Sequence, residues 1–274
     1  MQVFYFLKGD QAVERYIPAP EVCVVPGVIW GRPDVLFTAA YWMTQYWMCE
    51  DGFPNRCHRL GRTFEEEVVA CLLGGHGIPA EVGLAAFERL RDRGLIAGHP
   101  PSAELLSDNL REPLTLEGRD IVYRFWSQKA RYVSSVLTSL GEQPAPLDSP
   151  RALRDYLVQL PGIGPKTASW IVRNWLGSND VAILDIHVVR AGQLMGLFST
   201  IDRVEQHYPR MERRFLELAA AMNVPAANLD SLIWQNMRNS PRLVAGLFGE
   251  PLNTVRPVKR RGHHLPRQGQ LQQA

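Results

Sequence analysis

A chain of 274 residues, 46% hydrophobic and 21% charged, can bury a substantial core in one or two domains and has an ordinary globular composition. No apolar run reaches the roughly 18 residues of a membrane span, and Lys8-Gly9-Asp10 interrupts the apolar opening too early for a secretory signal, so an intracellular protein with no membrane partner is expected. The net charge of +2 is unevenly spread: Arg256, Lys259, Arg260, Arg261 and Arg267 fall near the C-terminus among no acids, which leaves the remainder slightly acidic. A broad basic plate is thereby excluded, and any nucleic-acid contact would need a local groove.

Residues 1–61 read as an irregular extension of unclear role. Pro18-Ala19-Pro20, Pro26-Gly27 and Gly31-Arg32-Pro33 punctuate short strands or extended segments, and residues 34–48 read as an aromatic-rich helix. Cys23, Cys49, Cys57 and Cys71 have no zinc or iron–sulfur spacing. Cys57-His58 would be at most half of a metal site, so reduced thiols and no metal are expected.

From Thr63 the pattern turns helical. Thr63-Phe64-Glu65-Glu66 predicts a capping box, followed by Val68, Val69, Cys71, Leu72 and Leu73. Residues 74–79 break the chain, and Pro79 suits the first turn of a helix that buries Val82, Ala86, Phe87 and Leu90 and stops near Gly94. A helix over 127–140 carries the stripe Ala130, Val133, Val136, Leu137, Leu140 and is expected to end at Gly141. Another covers 205–222, with Pro209 in its first turn or at a kink. Leu229, Leu232, Ile233 and Met237 mark a final helix, and residues 251–274 read as a basic, disordered tail. The expected fold is an all-α body over 62–250 with an irregular N-terminal extension.

The most informative stretch lies at 150–176. Ser149-Pro150 opens a helix with the apolar face Leu153, Leu157, Leu160; Pro161-Gly162-Ile163-Gly164-Pro165 turns; a second helix runs on through Ala168, Ile171, Val172 and Trp175. Two glycines around one aliphatic residue make a tight hairpin, since glycine takes the required backbone angles cheaply. Ile163 can plug the gap between the helices while hairpin N–H groups face an anion, so a phosphate fits there without net positive charge. A plain helix–helix turn is the alternative.

Lys166 falls in the first turn of the second helix, where the helix dipole disfavours an ammonium and favours a nucleophilic amine. Nineteen residues on, Asp185 follows Val181-Ala182-Ile183-Leu184. This leaves a lone carboxylate at the edge of an apolar run, able to act in catalysis, as N-cap of the next helix, or as both.

Residues 160–190 resemble the helix-hairpin-helix, Gly/Pro-rich loop and aspartate signature of DNA glycosylases, and Lys166 marks the bifunctional branch. The chain is most similar to the compact archaeal-type 8-oxoguanine DNA glycosylases, also through Cys71-Leu72-Leu73-Gly74-Gly75-His76-Gly77-Ile78-Pro79-Ala80-Glu81, through residues 123–132, and through Leu229-Asp230-Ser231-Leu232-Ile233-Trp234. The likeness spans roughly 62–247. It implies a glycosylase and AP lyase acting as a monomer on double-stranded DNA containing a damaged base. The base is flipped out, Lys166 forms a Schiff base with the sugar, and Asp185 stabilises the developing charge.

By the same resemblance Asp230 and Trp234 read and stack on the flipped base, His187 touches a phosphate, and Gly162, Ile163 and Gly164 bind the backbone. Arg124 and His76 fill or flank the gap. No cofactor is implied beyond a monovalent cation on the hairpin carbonyls. Plainer roles stay open for each: a hydrogen-bonding histidine, a surface aspartate, a core tryptophan, a salt-bridging arginine, a turn. Two rival functions also remain, the same chemistry on another damaged or modified base, and a non-catalytic DNA-binding protein on this scaffold.

Overall fold

The computed structural model describes residues 1–49, 59–75 and 77–249. Its first part is an antiparallel hairpin, β1 (Gln2–Lys8) and β2 (Gln11–Ile17), then a small pair, β3 (Cys23–Val25) and β4 (Val28–Ile29), then helix α1 (Ala39–Cys49). Alternation along β1 turns Phe4 and Phe6 to one face, where they stack at 5.9 Å and Phe4 meets Trp47 of α1 at 6.4 Å. The helix expected over 34–48 starts five residues late. Phe37 adopts φ 66°, which a helix cannot pass through, and the Thr38 hydroxyl then accepts the Tyr41 N–H at 3.1 Å.

The helical body follows as α2 (Phe64–Leu73), α3 (Ala80–Asp92), α4 (Ala103–Arg111), the hairpin β5 (Leu114–Leu116)–β6 (Arg119–Ile121), α5 (Trp126–Glu142), α6 (Pro150–Leu157), α7 (Pro165–Leu176), α8 (Ile186–Leu194) and α9 (Val204–Ala221). Then come α10 (Ala226–Asn239) and α11 (Pro241–Leu247). Residues up to Trp234 form one compact unit, and Gln235 begins a second, smaller one. No helix among the described residues is long and apolar enough to cross a membrane.

The capping box at Thr63 forms, with one change. Thr63 accepts the Glu66 N–H at 3.3 Å, but Glu66 reaches back one residue further, to the Arg62 N–H at 2.7 Å. Pro79 is the N-cap of α3 rather than its first residue, and α5 continues through Gly141 to Glu142. Nothing around Gly141 requires a left-handed residue, so the helix passes it at the modest cost of glycine. Pro209 sits in the second turn of α9. The body is not purely helical: β5 and β6 are joined by Glu117-Gly118, both at positive φ (49° and 73°), the geometry of a tight two-residue turn. The expected tail at 251–274 and the Cys57-His58 pair lie outside the described residues.

An apolar cluster gathers the inner faces of α2 to α7, with Val68, Leu72, Phe87, Leu106, Val133, Leu157 and Ile171 all buried. Two side chains from the α5 region close the C-terminal end of α2, where helix carbonyls lack intrahelical partners. The buried Tyr123 hydroxyl donates to Leu73 O at 2.6 Å, and Lys129 Nζ donates to Leu72 O at 2.6 Å. The N-terminal extension is tied to the body where Arg214 of α9 donates to Pro26 O at 2.8 Å. Tyr123→Phe, which strips one buried hydrogen bond and leaves the ring, should lower the unfolding free energy by about 1–2 kcal/mol in urea titrations.

Candidate active site

The hairpin between α6 and α7 has unequal glycines. Gly162 takes φ 78°, and a Cβ there would enter the ring of Tyr132 on α5, so both conformation and space demand glycine. Gly164 is extended and meets nothing a Cβ would touch. Its part is to leave the entrance of α7 open, which corrects the expectation that both glycines serve the backbone angles. Ile163 between them is 4% exposed and joins the core, with its N–H on Leu160 O at 3.2 Å. No side chain caps α7, and Pro165 at its first position has no N–H. The amides of Lys166 and Thr167 therefore head an uncapped helix end facing open space, the arrangement that attracts an anion.

Lys166 is half-buried in that first turn. Lys129 of α5, fixed on the last carbonyls of α2, lies near enough to sense it: burial and then the Lys166 charge hold the Lys129 ammonium below its usual range. One turn beyond Lys166, the Trp170 ring closes over Gly74, where a Cβ would come within 3.1 Å of it. Gly74 therefore lets α7 approach the end of α2.

Asp185 is the N-cap of α8. Its Oδ1 accepts the N–H groups of His187 and Val188, both at 2.9 Å, which leaves Oδ2 outside the cap. The residues leading to it are non-helical, and side chains of α9 and α10 hold their peptide groups. Glu212 Oε1 accepts the Ala182 N–H at 3.0 Å, and Asp230 Oδ2 accepts the Ile183 N–H at 3.2 Å. The Tyr208 hydroxyl donates to Ala182 O at 2.7 Å.

The same two carboxylates grip the helix that carries Lys166. Glu212 Oε1 also accepts the Ser169 hydroxyl at 3.1 Å, its Oε2 takes the Arg154 guanidinium of α6, and Asp230 Oδ1 pairs with Arg173 of α7 at 2.6 Å. A third buried acid, Glu67 of α2, receives Asn174 of α7 at 2.8 Å together with the amides of Leu60 and Gly61. Burial pushes the Asp230 carboxyl up to about 6, against the pull of Arg173.

Asp230 and Trp234 have different surroundings. Asp230 is 2% exposed and both its oxygens accept bonds from within the protein, whereas Trp234, one turn on, is 39% exposed. The i, i+4 spacing put both on one helix face, but the desolvation of a carboxylate favours the guanidinium and amide that meet it inside. His187 is half-buried and contributes its amide to the Asp185 cap. Arg124 is exposed, 5.0 Å above the Phe125 ring, and Gly77 lies beside its guanidinium. His76 itself lies outside the described residues.

Sequence reasoning passed over Glu212, Arg173, Arg154, Tyr208 and Lys129. A signal existed for the first: Glu212 falls on the apolar stripe of α9 with Tyr208, Met211 and Phe215, and a carboxylate on a buried face needs partners.

The sequence profile of a family described as 8-oxoguanine DNA glycosylase matches residues 55–224. An 8-oxoguanine DNA glycosylase/AP lyase of Saccharolobus islandicus is 32% identical over 127 residues, 43% of this chain and 61% of that protein, so the chain matches under two thirds of such a relative's length. The fold is that of the 8-oxoguanine DNA glycosylase of Thermotoga maritima (TM-score 0.56, 24% identity, 72% of this chain and 93% of that one). The Methanocaldococcus jannaschii 8-oxoguanine DNA glycosylase agrees similarly (TM-score 0.56, 21% identity, 72% and 91%).

Two measurements test the geometry. Gly162→Ala combines a positive φ with a steric clash and should cost more than about 1 kcal/mol in chemical denaturation, whereas Gly164→Ala should stay within about 0.5 kcal/mol. Because the folded-state pKa of Asp230 is raised from 3.8 to about 6, the folded protein binds the proton more tightly than the unfolded chain. The stability difference between wild type and Asp230→Asn should therefore decline as pH rises from about 4 to 6, then level off. Denaturant titrations across that range read it directly.

Proposed function

Because the chain belongs to the 8-oxoguanine DNA glycosylase family, we propose that it removes an oxidised purine, 8-oxoguanine foremost, from double-stranded DNA and then nicks the strand as an AP lyase. The observation that carries this reading is Lys166 at the uncapped, open entrance of α7, with the hairpin amides beside it. A DNA phosphate at those amides would bring the sugar of an adjacent flipped nucleotide to the lysine.

In this mechanism the neutral Lys166 amine attacks C1′ of the damaged nucleotide, and the bond to the base breaks with its electron pair leaving on the base. Loss of the amine proton and opening of the sugar give a Schiff base between Nζ and C1′. β-Elimination then releases the 3′ phosphate. The Asp185 oxygen outside the α8 cap faces the positive charge that develops on the sugar, and its cap bonds keep the side chain from turning away.

Trp234 offers the stacking surface for the extruded base, and His187 and Arg124 contact the flanking backbone and the vacated stack, with Gly77 beside Arg124. Asp230 acts from inside the protein in this scheme. No metal or organic cofactor enters the chemistry, a monovalent cation on the hairpin carbonyls is the one ion proposed, and the enzyme works as an intracellular monomer.

Borohydride trapping on a duplex with a single 8-oxoguanine tests the scheme. Wild type should form a covalent adduct, Lys166→Gln none, and Asp185→Asn should slow its formation by about 10²-fold or more. An adduct on an abasic duplex but not on 8-oxoguanine would keep the lysine chemistry and reassign the base. No adduct on either duplex would leave a DNA-binding protein without catalysis.

A further inference from the structure

The buried carboxylate of Glu212 bonds to Ser169, three residues past Lys166 on α7, and to Ala182, three residues before Asp185. Its Oε1 accepts the Ser169 hydroxyl at 3.1 Å and the Ala182 N–H at 3.0 Å, and its Oε2 takes the Arg154 guanidinium of α6. Both helices of the hairpin and the segment leading to Asp185 thus meet on one side chain of α9, itself 3% exposed.

We propose that Glu212 is a positioning residue that sets the reach of Lys166 relative to Asp185. The inference rests on the catalytic reading given above. A charge buried this deeply is a poor way to gain stability, because a well-packed apolar group of the same volume serves as well or better. Its hydrogen bonds are directional, and direction is what the site requires.

Residues 181–184 have no strand beside them among the described residues, so the α8 cap orients the Asp185 side chain but no sheet register or helix fixes the segment that delivers it. The Ala182 amide is held by Glu212 and the Ala182 carbonyl by Tyr208, both on α9 and one helical turn apart. The Ser169 and Arg154 bonds bring the hairpin to the same carboxylate. A shift of about 1 Å between nucleophile and carboxylate is enough to cost about 10²-fold in rate.

Glu212→Gln retains an oxygen for Ser169 and Ala182 but offers an amide N–H₂ to Arg154, so it breaks the α6 arm alone. Ser169→Ala breaks the α7 arm and leaves no charge unpaired. Both are compared with wild type by thermal melting, by affinity for a duplex containing a tetrahydrofuran abasic analogue, and by the single-turnover rate of borohydride trapping at saturating protein.

The expected result is trapping slowed about ten- to a hundredfold in Glu212→Gln and several-fold in Ser169→Ala, with affinity for the analogue within about twofold of wild type. Wild-type trapping rates in folded variants, even with lowered melting temperatures, would make Glu212 a stabilising residue only and overturn the inference while leaving the catalytic reading intact. If Glu212→Gln does not fold, Ser169→Ala decides by the same criteria. A wild type that forms no adduct on either an 8-oxoguanine or an abasic duplex would instead remove the catalytic reading and this inference with it.

Discussion

Extended chain buried without a neighbouring strand must find partners for its peptide groups elsewhere, and residues 182–184 find them on side chains. Glu212, Asp230 and Tyr208 supply acceptors and a donor from two helices that come later in the chain. Each of these acids also faces α7, through Ser169 or Arg173. Satisfying the backbone before Asp185 and holding the helix of Lys166 are one interaction, and the candidate site depends on it. A carboxylate suits this work because its two oxygens can accept from several directions at once. The cost is desolvation, visible in the raised titration of Asp230.

Around that clamp the hairpin divides its tasks among neighbouring residues. Gly162 allows the close approach of Tyr132, Ile163 fills the space between the helices, and Gly164 keeps the entrance of α7 clear. Pro165 starts the helix with a residue that has no N–H to lose. Backbone amides rather than basic side chains then provide the attraction for an anion. The phosphate contact proposed for this chain, whose acids and bases nearly balance, would therefore need no basic face.

The end of α2 is the second anchor. Its last carbonyls are closed by Tyr123 and Lys129, and Gly74 admits the ring of Trp170. Lys129 therefore has a structural bond and a place beside Lys166 at the same time, and burial together with the Lys166 charge holds its ammonium below the usual range. The N-terminal extension, by contrast, builds its own aromatic cluster around Trp42 and meets the body through Arg214 and Pro26.

Much of this was legible in the residues themselves. Apolar spacing at helical period marked α2, α3, α5 to α7, α9 and α10, because each must bury one face, and the Gly-Ile-Gly turn with Lys166 and the lone Asp185 stood out by chemistry. Local signals misjudged what local forces do not decide: the start of α1 turned on one left-handed Phe37, and Gly141 was passed because helix ends answer to packing as well as propensity. The short hairpin β5–β6 carried too few residues for a period to show. That Arg173 and the Ile183 amide meet the Asp230 carboxylate was not legible, since a sequence shows which residues share a face and not what meets them. The sequence by itself determined most of the helices, the hairpin, and the places of Lys166 and Asp185 in them. Only the tertiary structure decided that Glu212 and Asp230 meet both the segment before Asp185 and, through Ser169 and Arg173, helix α7, because a buried charge takes its partners from whatever the fold brings within hydrogen-bond reach.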